Sequence, residues 1–313
     1  MVRYYETVDG KVNQVEGIKP GVWVNMVDPD TEEARMISEM IGADREDILS
    51  AQDEEEMSRL ELQEGYTLIL VDIPTQEVRQ DREYYTTIPL GIILTEDLVV
   101  TICSEETPIL KIFEDGRVRD FSTRKKMRFV YQILYRVAMR YQAALRVIDR
   151  QRTDIEERID EVTEEEDLFT LHQLESNLVY FTTSLRSNAN VLDRLTRYKR
   201  LQQYHEDQEL LDDIIVENQQ AIEMATIYRD IINGTRELMS TVIDNRLNNV
   251  MKILTSITLV MAIPTIISGL YGMNVNGEGM PLASGVEGFA LICVITIVIC
   301  LITMWILHRK KML

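Results

Sequence analysis

The sequence predicts an α+β membrane protein, in which an N-terminal cytosolic α/β/α domain precedes a long stalk helix that continues into the first of two C-terminal transmembrane helices. Two apolar runs, 253–271 and 288–307, contain 19 and 20 residues without a charged side chain. Residues 1–121 contain short runs rich in β-branched and aromatic residues, which are typical of strands. From residue 122 to the first apolar run, apolar residues recur at the 3-4 spacing of amphipathic helices.

Charge divides the chain at residue 251. The 313 residues carry 33 Lys and Arg against 52 Asp and Glu, a formal net charge of −19. Residues 251–313 hold four basic and two acidic side chains, so residues 1–250 carry 29 − 50 = −21. This acidity excludes a nucleic-acid partner and favours cations. The three cysteines have neither a disulfide framework nor zinc-site spacing, which fits a reducing compartment.

Residues 1–121 are expected to form the cytosolic α/β domain. Four runs are strand candidates: 22–27, 66–73, 86–94 and 98–103. After the first run, Asp30 is predicted to cap a helix that has Glu32 and Glu33 in its first turn, where carboxylates are stabilised by the helix dipole. Residues 122–205 are expected to form a long helical hairpin that turns around residues 164–167.

Residues 206–271 are predicted to form one stalk helix. Its last part, from about residue 252, is predicted to be the first transmembrane segment. At ~1.5 Å per residue, ~60 residues give a rod of roughly 90–100 Å. A heptad-like apolar seam predicts a homo-oligomer. Its members are Leu211, Ile215, Ile222, Ala225, Ile232, Met239 and Val242. Gly234 interrupts the seam, either as a flexible joint or as a tolerated surface glycine.

Both apolar runs reach the ~20 residues that a bilayer core of ~30 Å requires. The alternative is a buried hairpin in a soluble core. Lys252 precedes the first run and Arg309, Lys310 and Lys311 follow the second, whereas residues 272–287 contain no Lys or Arg. The positive-inside rule therefore predicts cytoplasmic termini, an external loop at 272–287 and a basic cytosolic tail at 308–313. With no signal or transit peptide visible, we expect a multi-pass protein of a prokaryotic plasma (inner) membrane.

One face of the first span is mostly polar or small, with Met251 as its large apolar member. Steps of three and four residues select Asn248, Met251, Thr255, Thr258, Ala262, Thr265, Gly269 and Gly272. Small and hydroxyl side chains on one face can serve close helix packing in a membrane. The same face can instead line a pore, with hydroxyl groups and backbone carbonyls directed at water.

The span ends in Tyr271-Gly272-Met273-Asn274, and a short loop and a second span with a basic tail follow. Together with Pro264-Thr265 and the long stalk, this arrangement resembles the CorA family of magnesium and cobalt channels. The resemblance implies a homopentameric funnel with a selectivity filter at Gly272, Met273 and Asn274. It also implies pore-lining or gate roles for Asn248, Met251, Leu254, Thr255, Thr258, Ala262, Thr265 and Gly269. Within that set, Met251 and Leu254 would form a hydrophobic constriction.

The resemblance further implies that intracellular Mg²⁺ binds between subunits and holds the channel shut. Glu46 and Asp47 match one half of that site, and Asp212 and Asp213 the other half. An ordinary solvated surface acid is the alternative for each position. In the external loop, Glu278 and Glu287 are expected to concentrate cations near the entrance.

Passive influx of Mg²⁺, with Co²⁺ and Ni²⁺ as further ions, is therefore the expected function. Mg²⁺ is both transported ion and regulatory ligand, and no organic cofactor is expected. An enzyme is not expected, because the sequence has no phosphate-binding loop and no nucleophile elbow, and its three histidines are scattered. A zinc transporter of the same superfamily is the nearer alternative. A non-conducting, membrane-tethered coiled-coil sensor or scaffold is the more distant one.

Overall fold

A computed structural model gives the fold and describes residues 1–79, 82–159, 165–198, 205–274, 280–282 and 286–312. The chain divides into two compact units. The first unit comprises Met1–Arg158 and Glu164–Arg236, and the second comprises Ile159–Thr163 and Glu237–Leu313.

A seven-stranded sheet forms the centre of the first unit. Its strands are β1 (Val2–Val8), β2 (Lys11–Val15), β3 (Trp23–Val27), β4 (Arg59–Leu62), β5 (Tyr66–Arg79), β6 (Arg82–Thr95) and β7 (Val99–Cys103). The strand order is β2-β1-β3-β7-β6-β5-β4. All neighbouring strands are antiparallel except β3 and β7, which pair in parallel with Trp23 beside Val99.

Helices cover both faces of this sheet, which confirms the predicted α/β/α layering. Helices α1 (Thr31–Ile41) and α2 (Arg45–Ser50) contribute Ile37 and Ile48 to a buried cluster on one face. At Gly91 a side chain would place its Cβ 2.7 Å from the Ala51 Cβ, so only glycine lets the end of α2 approach β6.

The other face carries helices α3 (Pro108–Glu114), α4 (Lys126–Arg158) and α5 (Glu165–Arg197). Trp23 is fully buried there and packs on Phe129 with ring centroids 5.1 Å apart, while its Nε1 donates to the Thr101 hydroxyl over 2.8 Å. Alternate residues of each strand point to opposite faces, so the two helical layers share one sheet.

The four predicted strands are confirmed by β3, β5, β6 and β7, although β5 and β6 extend beyond the predicted runs. The predicted cap is also present, because the Asp30 side chain accepts from Glu33 N and the Glu33 side chain from Asp30 N. The hairpin turn predicted around residues 164–167 is wrong in place. Helix α5 already begins at Glu165, and acidic residues suit its first turn because the N-terminal end of a helix is electropositive.

Helix α6 (His205–Tyr271) is continuous over 67 residues, and its first part belongs to the first unit. There it packs on α4 and α5: the Gln142 amide donates to Glu217 O over 3.1 Å, and the Asn218 amide to Leu185 O over 3.0 Å. Leu211 and Ala225 are fully buried within one chain.

The chain's own helices cover most of the predicted seam. The seam therefore does not require a second copy of the chain, contrary to the inference from the sequence. Leu211, Ile222, Ala225, Ile232 and Met239 are buried, whereas Ile215 and Val242 are only half-buried. Ile214 is buried in place of Ile215. The seam by itself is therefore no argument for oligomerisation.

The second unit contains the rest of α6 and helix α7 (Val286–Arg309). The best 18-residue windows have a mean hydropathy of 2.0 in α6 and 3.0 in α7. Both helices are long and apolar enough to cross a membrane. This arrangement, an α/β/α domain followed by a long helix that contains the first of two C-terminal apolar segments, confirms the predicted fold class.

Candidate functional site

Helix α7 covers one side of the membrane part of α6. Ser256 is fully buried and donates its hydroxyl proton to Met312 O over 3.1 Å. The Cys300 thiol contacts Val260 O at 3.9 Å. Further along, the two helices line a shared apolar groove of about 490 Å³, to which α6 contributes Pro264, Ile267, Ser268 and Tyr271.

The polar and small stripe lies on the opposite side of α6. At 100° per residue, the stripe residues fall within about 65° of a common direction, and Ser256, Val260, Pro264, Ile267 and Tyr271 centre about 180° away from it. Met251 and Leu254 are 52% and 57% exposed. Asn248, Thr255, Thr258, Thr265 and Gly269 are also exposed, and Ala262 is half-buried. The structure thus brings the predicted pore residues onto one face that α7 leaves open.

The threonines of this face use their protons within the helix. The hydroxyl of Thr255 donates to Met251 O over 2.7 Å, that of Thr258 to Leu254 O over 2.8 Å, and that of Thr265 to Met261 O over 2.9 Å. Each hydroxyl oxygen then presents only lone pairs to the open side. Such oxygens accept hydrogen bonds from water, including the water shell of a cation.

The Gly-Met-Asn segment follows directly on the end of α6. Gly272 N donates to Ser268 O over 2.8 Å, and Met273 N donates to Leu270 O over 3.4 Å. A Cβ at Gly272 would lie 3.1 Å from Ser268 O, so glycine suits this tight helix end. Asn274 is exposed. The Met273 side chain is also 54% exposed within the described part of this chain.

Two contacts fix the far side of the loop, and sequence reasoning missed both. The Tyr271 hydroxyl donates to Pro281 O over 2.9 Å. A Cβ at Gly288 would lie 2.1 Å from Leu282 O, so only glycine allows the first turn of α7 to meet the loop backbone. Glu287 is exposed in the same turn. Glu278, the other predicted external acid, lies outside the described residues.

The proposed regulatory acids occupy two places in the first unit. Asp44 caps α2, and the half-buried Asp47 carboxylate accepts a hydrogen bond from the Tyr66 hydroxyl over 2.6 Å. Burial and this hydrogen bond raise the pKa of Tyr66, so the phenol remains a donor. No local pattern in the sequence indicates this pair, because the two residues are 19 positions apart.

Glu46 on α2 and both Asp212 and Asp213 on α6 are exposed. Within the described ranges, no group of three or more His, Cys, Asp or Glu side chains is placed to hold a metal ion. Carboxylate oxygens are the ligand type that Mg²⁺ prefers.

Comparison with known proteins adds the family. The model of the CorA-like Mg²⁺ transporter protein family matches residues 19–309. The cobalt/magnesium transport protein CorA of Methanocaldococcus jannaschii is 31% identical over 298 residues, which cover 92% of this chain and 90% of that protein. The protein with the same name in Thermotoga maritima is 25% identical over 319 residues, or 97% of this chain and 88% of that protein.

A solved structure leads to the same family. The complete structure of the CorA magnesium transporter from Methanocaldococcus jannaschii matches with a TM-score of 0.83 and 27% identity, and the match covers 99% of this chain and 98% of that chain. Members of this family are transporters, and the two C-terminal apolar helices of the present chain agree with a membrane protein. The chain belongs to the CorA-like Mg²⁺ transporter family.

Proposed function

We propose that this protein conducts Mg²⁺ passively into the cell, and that Co²⁺ and Ni²⁺ use the same path. The observation that carries the proposal is the open face of α6. It is lined by small residues and acceptor-only hydroxyls, lies opposite α7, and leads to Gly272-Met273-Asn274. One copy of such a face cannot enclose water, so several copies must surround the path. The family resemblance favours five.

The chemistry of the face suits a hydrated hard cation. Mg²⁺ holds its water shell tightly and gives it up reluctantly. Waters bound to a cation direct their protons outward, and the threonine oxygens and the Asn274 amide oxygen can accept those protons. Weak contacts of this kind allow an ion to leave as well as to enter, which conduction requires.

Met251 and Leu254 are the proposed gate. Both are large apolar side chains on the open face, near the cytosolic end of the first apolar run. Rings of such side chains can close a narrow pore by expelling water. Residues 272–287 are then external and residues 308–313 cytosolic. The cytosolic part comprises the α/β domain (1–121), the helical hairpin (122–205) and the stalk that begins at residue 206. This topology suits a prokaryotic plasma membrane.

Closure by intracellular Mg²⁺ is the proposed regulation. On α6, Asp213 shares an exposed face with Val216, Ile227 and Ile231, which are 63%, 55% and 39% exposed. An apolar face beside carboxylates suits a contact between copies of this chain, in which Glu46 and Asp47 of one copy approach Asp212 and Asp213 of the next. A divalent ion would bridge the facing carboxylates, and its loss would let them repel one another.

Metal-dependent flux through purified protein in liposomes tests conduction. Mg²⁺ influx is expected to require no energy source, to respond to membrane potential, and to be abolished by Asn274→Ala. Thr303→Val is the matched control, because the Thr303 hydroxyl on α7 donates only to its own helix at Ile299 O. Flux that survives Asn274→Ala unchanged would contradict the filter. Absence of flux in the wild type would favour a non-conducting sensor or scaffold, and preference for Zn²⁺ in competition would favour the zinc transporter.

Protection from protease tests regulation separately. Millimolar Mg²⁺ is expected to protect the cytosolic part of the wild-type protein, and Asp213→Ala is expected to weaken that protection. Tyr66→Phe should weaken it less, because the Asp47 carboxylate keeps its charge but loses its orienting donor. Asp230→Ala, at an exposed position of the same helix, is the control. Equal protection of wild type and Asp213→Ala would remove Asp213 from the site.

A further inference from the structure

Pro264 leaves one backbone carbonyl of the membrane helix without its usual donor. In an α-helix, the N–H of each residue donates to the carbonyl four positions earlier. Pro264 lies inside α6 and has no N–H, so Val260 O loses that partner. The carbonyl belongs to the apolar segment, where water is not available to replace the missing donor.

Neighbouring hydroxyl groups on α6 do not replace it. Thr258 donates to Leu254 O, and Thr265 donates to Met261 O. Ser268 donates to Thr265 O. The donor that reaches Val260 O comes instead from the second helix: the Cys300 thiol of α7, at 3.9 Å. A thiol is a weak donor with a large sulfur atom, and this distance lies at the long end for such a bond.

The position of this contact gives it a role in holding the two helices together. Val260 lies on the α7 side of α6, behind the open face that carries Thr258 and Ala262. Just beyond it the helices line the apolar groove, which includes Pro264 and Cys300 and extends to Tyr271 and Phe289. The thiol contact therefore lies at one end of the groove, and at the other end the Tyr271 hydroxyl donates to the loop at Pro281 O.

We propose that Cys300 is a positioning residue for the pore-lining helix. Its thiol supplies the hydrogen-bond donor that Pro264 lacks, and it thereby holds α7 against α6 at the one turn where the internal ladder of α6 is interrupted. The open face then keeps a fixed direction along the path to Asn274. The effect on transport rests on the proposed function, whereas the hydrogen bond itself is a property of one chain and does not depend on it.

The S–H stretch in the infrared spectrum tests the bond directly, because a thiol that donates a hydrogen bond absorbs at lower frequency. The difference spectrum between wild type and Cys300→Ala, in liposomes, isolates the Cys300 band. Cys293→Ala is the matched control, as Cys293 lies on α7 and lines the same groove. The Cys300 band is expected below the Cys293 band. It should rise toward the Cys293 band in Pro264→Ala, where the new N–H can satisfy Val260 O.

A double-mutant cycle tests the consequence for transport. Cys300→Ala is expected to lower Mg²⁺ flux about threefold, because the free energy of a typical interhelical hydrogen bond in a membrane corresponds to a factor of about that size. Cys300→Ser should restore flux, because its hydroxyl is also a donor. In the Pro264→Ala background, Cys300→Ala should have no further effect. A role in packing alone would make Ser and Ala equivalent at position 300 and make their effects independent of Pro264.

Three results would overturn the proposal: a Cys300 band at the frequency of a free thiol, a band that does not respond to Pro264→Ala, or additive effects of the two substitutions on flux. If the wild type conducts no ion, the proposed function fails, but the infrared measurement still decides whether the bond exists.

Discussion

Helix α6 has two parts with different surroundings. In the first unit, α4 and α5 cover its apolar seam, and Leu211 and Ala225 are fully buried within a single chain. In the second unit, α7 covers one side only, and Leu259, Met261 and Ile266 are 50% or more exposed. A single chain therefore completes the hydrophobic core of the first unit. In the second unit, a single chain leaves a large apolar surface exposed, which under the proposed function is covered by lipid and by further copies of the chain.

The difference explains where oligomer contacts must be sought. An apolar seam in a long helix does not identify an intermolecular interface when the chain's own helices fill it. What remains for neighbouring copies is the exposed face with Val216 and Ile227 in the first unit and the open face with the threonines in the second. The following substitutions test whether the two units differ in this way.

The largest effect on stability is expected from Trp23→Ala in the first unit, and the same type of substitution in the second unit, Trp305→Ala, serves as the comparison. Trp23→Ala empties a fully buried site and should lower the free energy of unfolding by about 3–5 kcal/mol. Trp305→Ala removes a side chain that is 61% exposed, with one cation–π contact to Arg309, and should cost about 1 kcal/mol or less in detergent. Chemical denaturation followed by circular dichroism measures both. Equal losses would show that the units are packed alike.

A second test asks whether the close contact between Gly288 and the loop backbone at Leu282 contributes to the stability of the second unit. Gly288→Ala would place its Cβ 2.1 Å from Leu282 O, a backbone atom, and is expected to destabilise the protein by about 1–3 kcal/mol. Gly269→Ala is the control, because among the described residues no atom outside the neighbouring helix backbone would lie within 4 Å of its Cβ. Thermal unfolding in detergent separates the two. A stable Gly288→Ala variant would mean that the loop backbone can move away from α7.

Gly234 lies two residues before the boundary between the units. Nothing lies within 4 Å of a Cβ there, and α6 is continuous through it, so Gly234→Ala should stabilise the helix by up to about 1 kcal/mol. Gly42→Ala is the control with the opposite expected sign. Gly42 ends α1 at φ 69°, where a side chain is strained, so this substitution should destabilise the protein. If Gly234 is a flexible joint, its alanine variant will gain stability and lose Mg²⁺ flux. If it is a tolerated surface glycine, flux will not change.

The smallest expected effect is a pH dependence of the first unit. Burial raises the pKa of the Asp72 carboxyl group, against hydrogen bonds from Ser184 and Ser58 that lower it. The folded chain therefore holds this proton more tightly than the unfolded chain. The resulting stability is complete below the unfolded pKa and is lost as pH rises through the folded pKa. Asp72→Asn should flatten this slope and raise stability at neutral pH, which urea unfolding at several pH values can measure.

Sequence reasoning succeeded where a local pattern of residues decides the structure. The two apolar helices, the long strands β5 and β6 and the Asp30 cap all have local signals. Strands β1, β2 and β4 were missed. β2 and β4 are short edge strands in which at least half of the side chains are polar. Pairing between β3 and β7 joins residues 76 positions apart, and no local pattern specifies such a register.

The candidate site was predictable only in part, for the same reason. The stripe on α6 follows from helical periodicity, and Gly272-Met273-Asn274 is contiguous in sequence. By contrast, the bond from Tyr66 to Asp47 and the contact between Gly288 and Leu282 depend on how separate segments meet. Periodicity also could not tell whether the seam of α6 faces its own chain or another, because both partners would present the same apolar chemistry.

The order of the two units along the chain has a consequence for biosynthesis. The first unit ends at Arg236, so 313 − 236 = 77 residues are still to be translated when its last residue is added. At ~5–20 residues per second, those residues take about 4–15 s. The α/β/α core can therefore begin to fold on the ribosome before α7 exists. In the topology proposed above, this folded unit stays on the side of the membrane where it is synthesised, and only the short segment between α6 and α7 has to be translocated.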